Sequence, residues 1–312
     1  MKHLFGWSIP FALAAACSVS PPDSTSASLS SSPSAVTVPW GEGGMTLQPA
    51  VRERLALGPS AVSVDLDGAA LVLDNWGQRL WRIPPSANAP AAPLPVRLPR
   101  DTEDVIGWPD GTLAVYRPVS RTVDLFDREG ATRGHLQIPR AVVDIGLLEA
   151  GPSHRVLVTD PFQEVVTLGS PAAPLDESSV LRSRREGVAG GLEVIVHDGR
   201  ALLRVLEAGE RKRVRRELLV GDGVTAASIV GRGGSVACLR LERQLGTATV
   251  RVARDAVCVD VDSGRERLRV ALPPPGLYVP RRELALGGTP LQLVHIEPST
   301  AGLVVRRWEV AR

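Results

Sequence analysis

AVSVDLDGAALVLDNWGQRLWRI, from Ala61 to Ile83, decides the fold class. It is a short apolar strand, a turn at Asp65-Leu66-Asp67-Gly68, a second apolar strand, a polar turn at Asn75-Trp76-Gly77-Gln78, and a third strand. Strands of four to six residues bounded by Gly, Asp and Asn mark antiparallel β structure, because those residues accept the backbone angles of tight turns. The same grammar recurs five times: Asp104–Phe126, Val142–Leu168, Leu192–Leu218, from Ala227, and Leu284–Val310. The first turn of each copy is indexed by Gly68, Gly111, Gly151, Gly199, Gly234 and Gly288, at spacings of 43, 40, 48, 35 and 54 residues. Propeller blades of four strands need about 40–50 residues.

The segments PLPVRLP before the second copy and HLQIP before the third supply a fourth, outer strand. Val51–Leu57 precedes the first copy in the same relation. Because the chain ends just after the third strand of copy six, Val51–Leu57 is expected to pair into that last blade and close the ring, which would shield both free edges. The reading is an all-β, six-bladed β-propeller over residues 47–312, with seven blades as the alternative. This repeat grammar resembles the NHL-type and YncE-like bacterial propellers, and DVDSGRERLRV, Asp260–Val270, is similar to the Gly-turned hairpin of quinoprotein propellers.

The first residues give an address. Lys2 followed by the apolar Leu4–Ala16 is the pattern of a secretory signal peptide, too short to span a bilayer. Leu13-Ala14-Ala15-Ala16-Cys17 resembles the bacterial lipobox, which implies cleavage after residue 16 and a lipid on Cys17. Ala14 stands where that motif has a large aliphatic residue, so cleavage by ordinary signal peptidase at Ala14-x-Ala16, releasing a soluble protein, stays open. Residues 17–46 are expected to act as a tether, since Ser18–Ala35 is mostly Ser, Pro and Ala and buries too little apolar surface to order itself. Ser18, rather than Asp, permits outer-membrane sorting by resemblance to enteric lipoproteins.

A formal net charge of +2 argues against a dedicated nucleic-acid binder. Hydrophobic residues at 44% suffice for a core, which must rely on aliphatic side chains because aromatics are only 4%. The histidines are scattered, without HxH, HExxH or CxxC spacing, so no metal is expected. No GxSxG elbow or Gly-rich phosphate loop is present, and no cofactor is expected. Most carboxylates lie beside Gly, Pro or Asn, where Asp serves turns. Cys238 and Cys258 fall on strands of one blade and are candidates for a disulfide; two buried thiols are the alternative.

Asn75, Trp76, Gln78 and Phe162 lie in loops between second and third strands, where they are candidates for contacting a ligand; capping the next blade is the plainer role. The run Glu210-Arg211-Lys212-Arg213-Val214-Arg215-Arg216 reads as a solvated strand near a blade's outer edge, with a patch for anionic surfaces as the alternative. The expectation is a monomeric, membrane-anchored scaffold binding a protein, peptide or glycan in the cell envelope. The alternative is an envelope enzyme (a lactonase, hydrolase or quinoprotein-type dehydrogenase) with its site at the central channel.

Overall fold

In the computed structural model, described for residues 33–311 apart from 53–54, 87–88, 109, 143–144, 152–153, 160–163, 184, 187–190, 208–212 and 247–250, six small antiparallel sheets form a ring. The strand that closes it is β1 (Ser34–Pro39), which pairs along its whole length with the last strand of the chain. The expected closure by Val51–Leu57 is therefore corrected, and the propeller begins inside the stretch assigned to the tether. Six residues with two alternating valines suffice: Val38 is buried and Val36 half-buried, while their Ser, Thr and Pro neighbours face solvent. A Ser/Pro-rich context masks so short a strand.

Blade 1 comprises β2 (Ala61–Val64), β3 (Ala70–Asp74), β4 (Arg79–Ile83) and β5 (Ala92–Arg97). Blade 2 comprises β6 (Asp104–Gly107), β7 (Leu113–Arg117), β8 (Thr122–Phe126) and β9 (Thr132–Gln137). In both, the outer strand falls where the sequence placed it. Blade 3 has β10 (Leu147–Ala150), β11 (Val156–Thr159) and β12 (Glu164–Ser170), whose outer edge is shared by two short pieces, β13 (Ala173–Pro174) and β14 (Arg185–Glu186). A one-and-a-half-turn helix, α1 (Glu177–Arg182), joins those pieces; Asp176 caps it by accepting from the Ser179 amide.

Blade 4 has three strands, β15 (Leu192–His197), β16 (Arg200–Leu206) and β17 (Val214–Asp222). Its first turn, at Asp198-Gly199, has both residues at positive φ, which suits a two-residue hairpin. Blade 5 comprises β18 (Ala226–Gly233), β19 (Val236–Leu245), β20 (Arg251–Asp260) and β21 (Glu266–Leu272). Blade 6 comprises β22 (Leu284–Gly287), β23 (Gln292–Pro298), β24 (Gly302–Glu309) and β1.

The core lies between blades rather than inside any one of them. Apolar clusters join blade 6 to blade 1 through Val38, Val62, Trp81 and Val294, blade 1 to blade 2 through Leu73, Leu80, Val105 and Val115, and blade 5 to blade 6 through Leu268, Leu293 and Trp308. Each fully buried Val or Leu side chain contributes roughly 1.5–3 kcal/mol relative to exposure. A blade removed from the ring would lose both partners of its faces. In blade 5, Cys238 and Cys258 are directly opposed on β19 and β20, both buried, with Cα atoms 4.0 Å apart and sulfurs placed as a disulfide.

The innermost strands all run in one direction, so one face of the ring carries their starts together with the loops between second and third strands. This is called the upper face below. Because β1 is antiparallel to β24, Ser34 lies towards the lower face and Pro39 at the upper one. The N-terminal end of β1 therefore lies at the lower face.

Candidate functional site on the upper face

Three consecutive charged residues ahead of β22 organise the channel mouth. Arg282 continues the parallel contact between inner strands: its amide donates to Ser60 O at 3.1 Å and its carbonyl accepts from Val62 N at 3.1 Å. Its guanidinium then crosses the channel, donating to Asp104 Oδ2 and to Leu148 O, both at 2.7 Å. Asp104, only 1% exposed, also accepts from the amides of Val105 at 2.8 Å and Leu148 at 3.2 Å. One arginine from blade 6 thus ties blades 2 and 3 together over the channel. Arg281 pairs with Glu103, donates to Ile145 O, and stands 5.3 Å from the centre of the Tyr116 ring.

Glu283, the third residue, turns into the interface between blades 5 and 6. It accepts from Arg254 Nη1 at 2.7 Å and Arg240 Nη1 at 3.1 Å, and its Oε2 lies 3.6 Å from His295 Nε2. Burial works to raise the Glu283 carboxyl, but His295 and Arg254 outweigh it and hold the group down at about 2. Beneath the Arg282 crossing lies a cavity of about 500 Å³ lined by inner-strand residues including Ser63, Ile106, Glu149 and Leu284. Among the described residues, no three of His, Cys, Asp and Glu converge closely enough to hold a metal ion.

Around the mouth, the segment after β1 lies across the upper face. Trp40 Nε1 donates to Ser299 O at 2.8 Å, and the amide of Thr46 donates to Asp74 Oδ2 at 2.9 Å. Asp74 also accepts from Gly77 N at 2.9 Å, and burial raises its carboxyl against those bonds. Residue 77 must be glycine: a Cβ there would stand 2.3 Å from Asp74 Oδ2. In the described part of Val51–Leu57, expected as a strand, Leu57 bridges Gln48, and Val51 and Leu55 are exposed. Tyr278 donates to Pro59 O at 3.2 Å, and burial pushes its hydroxyl up.

Trp76 protrudes from the β3–β4 turn, 42% exposed, with Asn75 and Gln78 half-buried beside it. Gln78 holds the turn at φ 55°, and its carbonyl accepts from Leu98. Of the four residues expected to contact a ligand, Trp76 is the exposed one among those described; Phe162 lies outside the described residues, as does Cys17. Val119 occupies the matching turn of blade 2 at 84% exposure, and Leu245 and Val279 extend the rim. Arg281 and Arg282 were not singled out in the sequence. Their one visible signal is position: Arg281-Arg282-Glu283 directly precedes an inner strand, where charge must find a partner.

The lower face carries charged residues beside exposed Leu66. Asp110 meets His154 Nε2 at 2.8 Å between two open clefts of about 550 and 620 Å³. In the larger cleft, burial and neighbouring Asp67 push the Asp65 carboxyl up to about 6, against the pull of Arg82.

No protein-family model matches the chain, and no curated protein matches it. Solved propellers are similar in outline. Selenomethionine-substituted virginiamycin B lyase from Staphylococcus aureus aligns at 7% identity over 88% of this chain and 98% of its own, with a TM-score of 0.46. A member of the DUF4221 family from Bacteroides vulgatus aligns at 9% identity over 88% and 97%, with a TM-score of 0.48. A luciferin-regenerating enzyme aligns at 11% identity over 85% and 95%, with a TM-score of 0.43. Similarity at this level says nothing of activity.

Proposed function

We propose that this chain is an exported lipoprotein, anchored through Cys17, whose propeller is a non-enzymatic docking platform in the cell envelope. The observation that carries the reading is the upper face. Its central charges, Arg281 with Glu103 and Arg282 with Asp104, are bound to one another, while its rim exposes Trp76, Val119, Leu55 and Val279. A site for acid–base chemistry needs an ionisable group left available to substrate, so this arrangement favours binding over catalysis at the channel. The exposed tryptophan suits a protein or peptide partner, because tryptophan is enriched among the residues that carry protein interfaces. The anchor fits the geometry: β1 starts at the lower face, so a tether attached there would present the rim outward.

Two substitutions test the two halves. Cys17→Ser should move the protein from the membrane to the soluble fraction and abolish lipid labelling; a wild-type protein that is already soluble and unlabelled removes the anchor. Trp76→Glu with Val119→Glu should leave the melting temperature unchanged while abolishing the envelope crosslinks made by the wild type. Retention of those crosslinks removes the platform.

A further inference from the structure

We propose a second binding site, the outer edge of blade 4, which takes an extended acidic peptide as a fourth strand. Blades 1, 2 and 6 carry a full outer strand, each contributing one buried apolar side chain: Val96, Leu136 and Val38. Among the described residues β17 is the outermost strand of blade 4, and only residues 223–225 separate it from β18, so that connection holds no further strand. The edge is left with Val214 and Leu219 at 45% and 47% exposure. A row of unpaired backbone N–H and C=O groups beside apolar side chains is the template for strand addition.

The edge is held still and has defined ends. Arg215 bonds Asp262 Oδ1 at 2.9 Å, and Arg216 donates to the carbonyls of Asp262 and Ser263, which fastens β17 to blade 5. The register against β16 shifts near both ends, and Val220 O already accepts from Arg269 Nη2 at 3.2 Å. The open stretch is therefore Val214–Leu219. Its charge selects the occupant. Arg213 is exposed and has no ion-pair partner among the described residues, and the Arg216 guanidinium meets carbonyls rather than a carboxylate. Glu217 is already paired with Arg204 at 2.8 Å.

A peptide alternating carboxylates with aliphatic residues matches both the charge and the exposed Val214 and Leu219. A lipid surface matches the charge alone, since it offers no backbone to pair. A second copy in antiparallel register would bring its own Arg269-capped Val220 against the open Val214–Arg216 end, whereas a free peptide carries no such cap.

The probe is a labelled Glu-Val-Glu-Val-Glu-Val peptide, read by fluorescence anisotropy and by hydrogen exchange of the purified protein. Saturable binding is expected, absent for Lys-Val-Lys-Val-Lys-Val and abolished by methylating alternate peptide nitrogens. Arg213→Glu should weaken it by about fivefold, the size of one exposed ion pair, without moving the melting temperature. The outward amides of β17, those not already bonded to β16, should become protected only when the peptide is present. Equal binding of the methylated peptide would reduce the site to plain charge attraction and overturn the proposal, as would no binding. So would protection of those outward amides in the peptide-free protein, whether lost on dilution (a second copy) or independent of concentration (the chain's own segment). Protection by phosphatidylglycerol vesicles in place of peptide would overturn it too.

Discussion

Replacing Asp104 with alanine removes the acceptor on which the channel mouth is built. The carboxylate is 1% exposed and takes Arg282 at 2.7 Å together with the amides of Val105 and Leu148. Breaking a buried ion pair by deleting one partner costs about 3–5 kcal/mol, because the other charge stays buried without compensation. Arg282 would keep Leu148 O at 2.7 Å and its side chain is 12% exposed, so the lower end applies, about 3 kcal/mol. For a domain of this size that is a fall of roughly 6–12 °C in melting temperature. Deleting both groups removes the stranded charge. Asp104→Ala/Arg282→Ala should therefore be less destabilised than the two single losses summed, by at least about 1.5 kcal/mol. Urea denaturation of the four proteins measures the cycle. Single losses under about 1 kcal/mol that simply add would refute the reasoning, because they describe a solvated surface pair.

Three further outcomes follow from buried features. Non-reducing mass mapping should link Cys238 to Cys258, whose separation is 20 residues, and Cys238→Ala/Cys258→Ala should lose about 3 kcal/mol in the loop-entropy account; two free thiols would contradict it. Glu283 is held down at about 2 against an ordinary 4.5, so its contribution is full above pH 4.5 and is lost as pH falls through 2. Glu283→Gln should flatten the stability profile across that window, and an unchanged profile would dismiss the assignment. Val38→Asp places a charge at a position 3% exposed in the closing strand and should destabilise by about 3 kcal/mol or more; a change under 1 kcal/mol would mean that β1 does not close the ring.

The repeat was legible because each blade opens with the same physical device, a glycine turn between two apolar strands, as at Gly68 and Gly111. The turn at Gly151 is less regular, and in blade 3 the sequence reading loses the outer strand, which splits into two short pieces. The closing strand was hidden by composition: Ser34–Pro39 carries only two valines of strand pattern in a Ser/Pro-rich stretch, while Val51–Leu57 has the richer apolar look. Trp76 was legible as a loop-tip aromatic. The Arg282 crossing was not, because a contact between residues 178 positions apart depends on ring closure, which no local pattern encodes.

The docking platform is tested most directly by placing a photocrosslinking amino acid at position 76 on the upper face and, separately, at position 66 on the lower face, then irradiating intact cells. Both parent residues are exposed. Discrete crosslinked species from position 76, absent from position 66, are the predicted result. Equal crosslinking from both positions, or none from position 76, would contradict it.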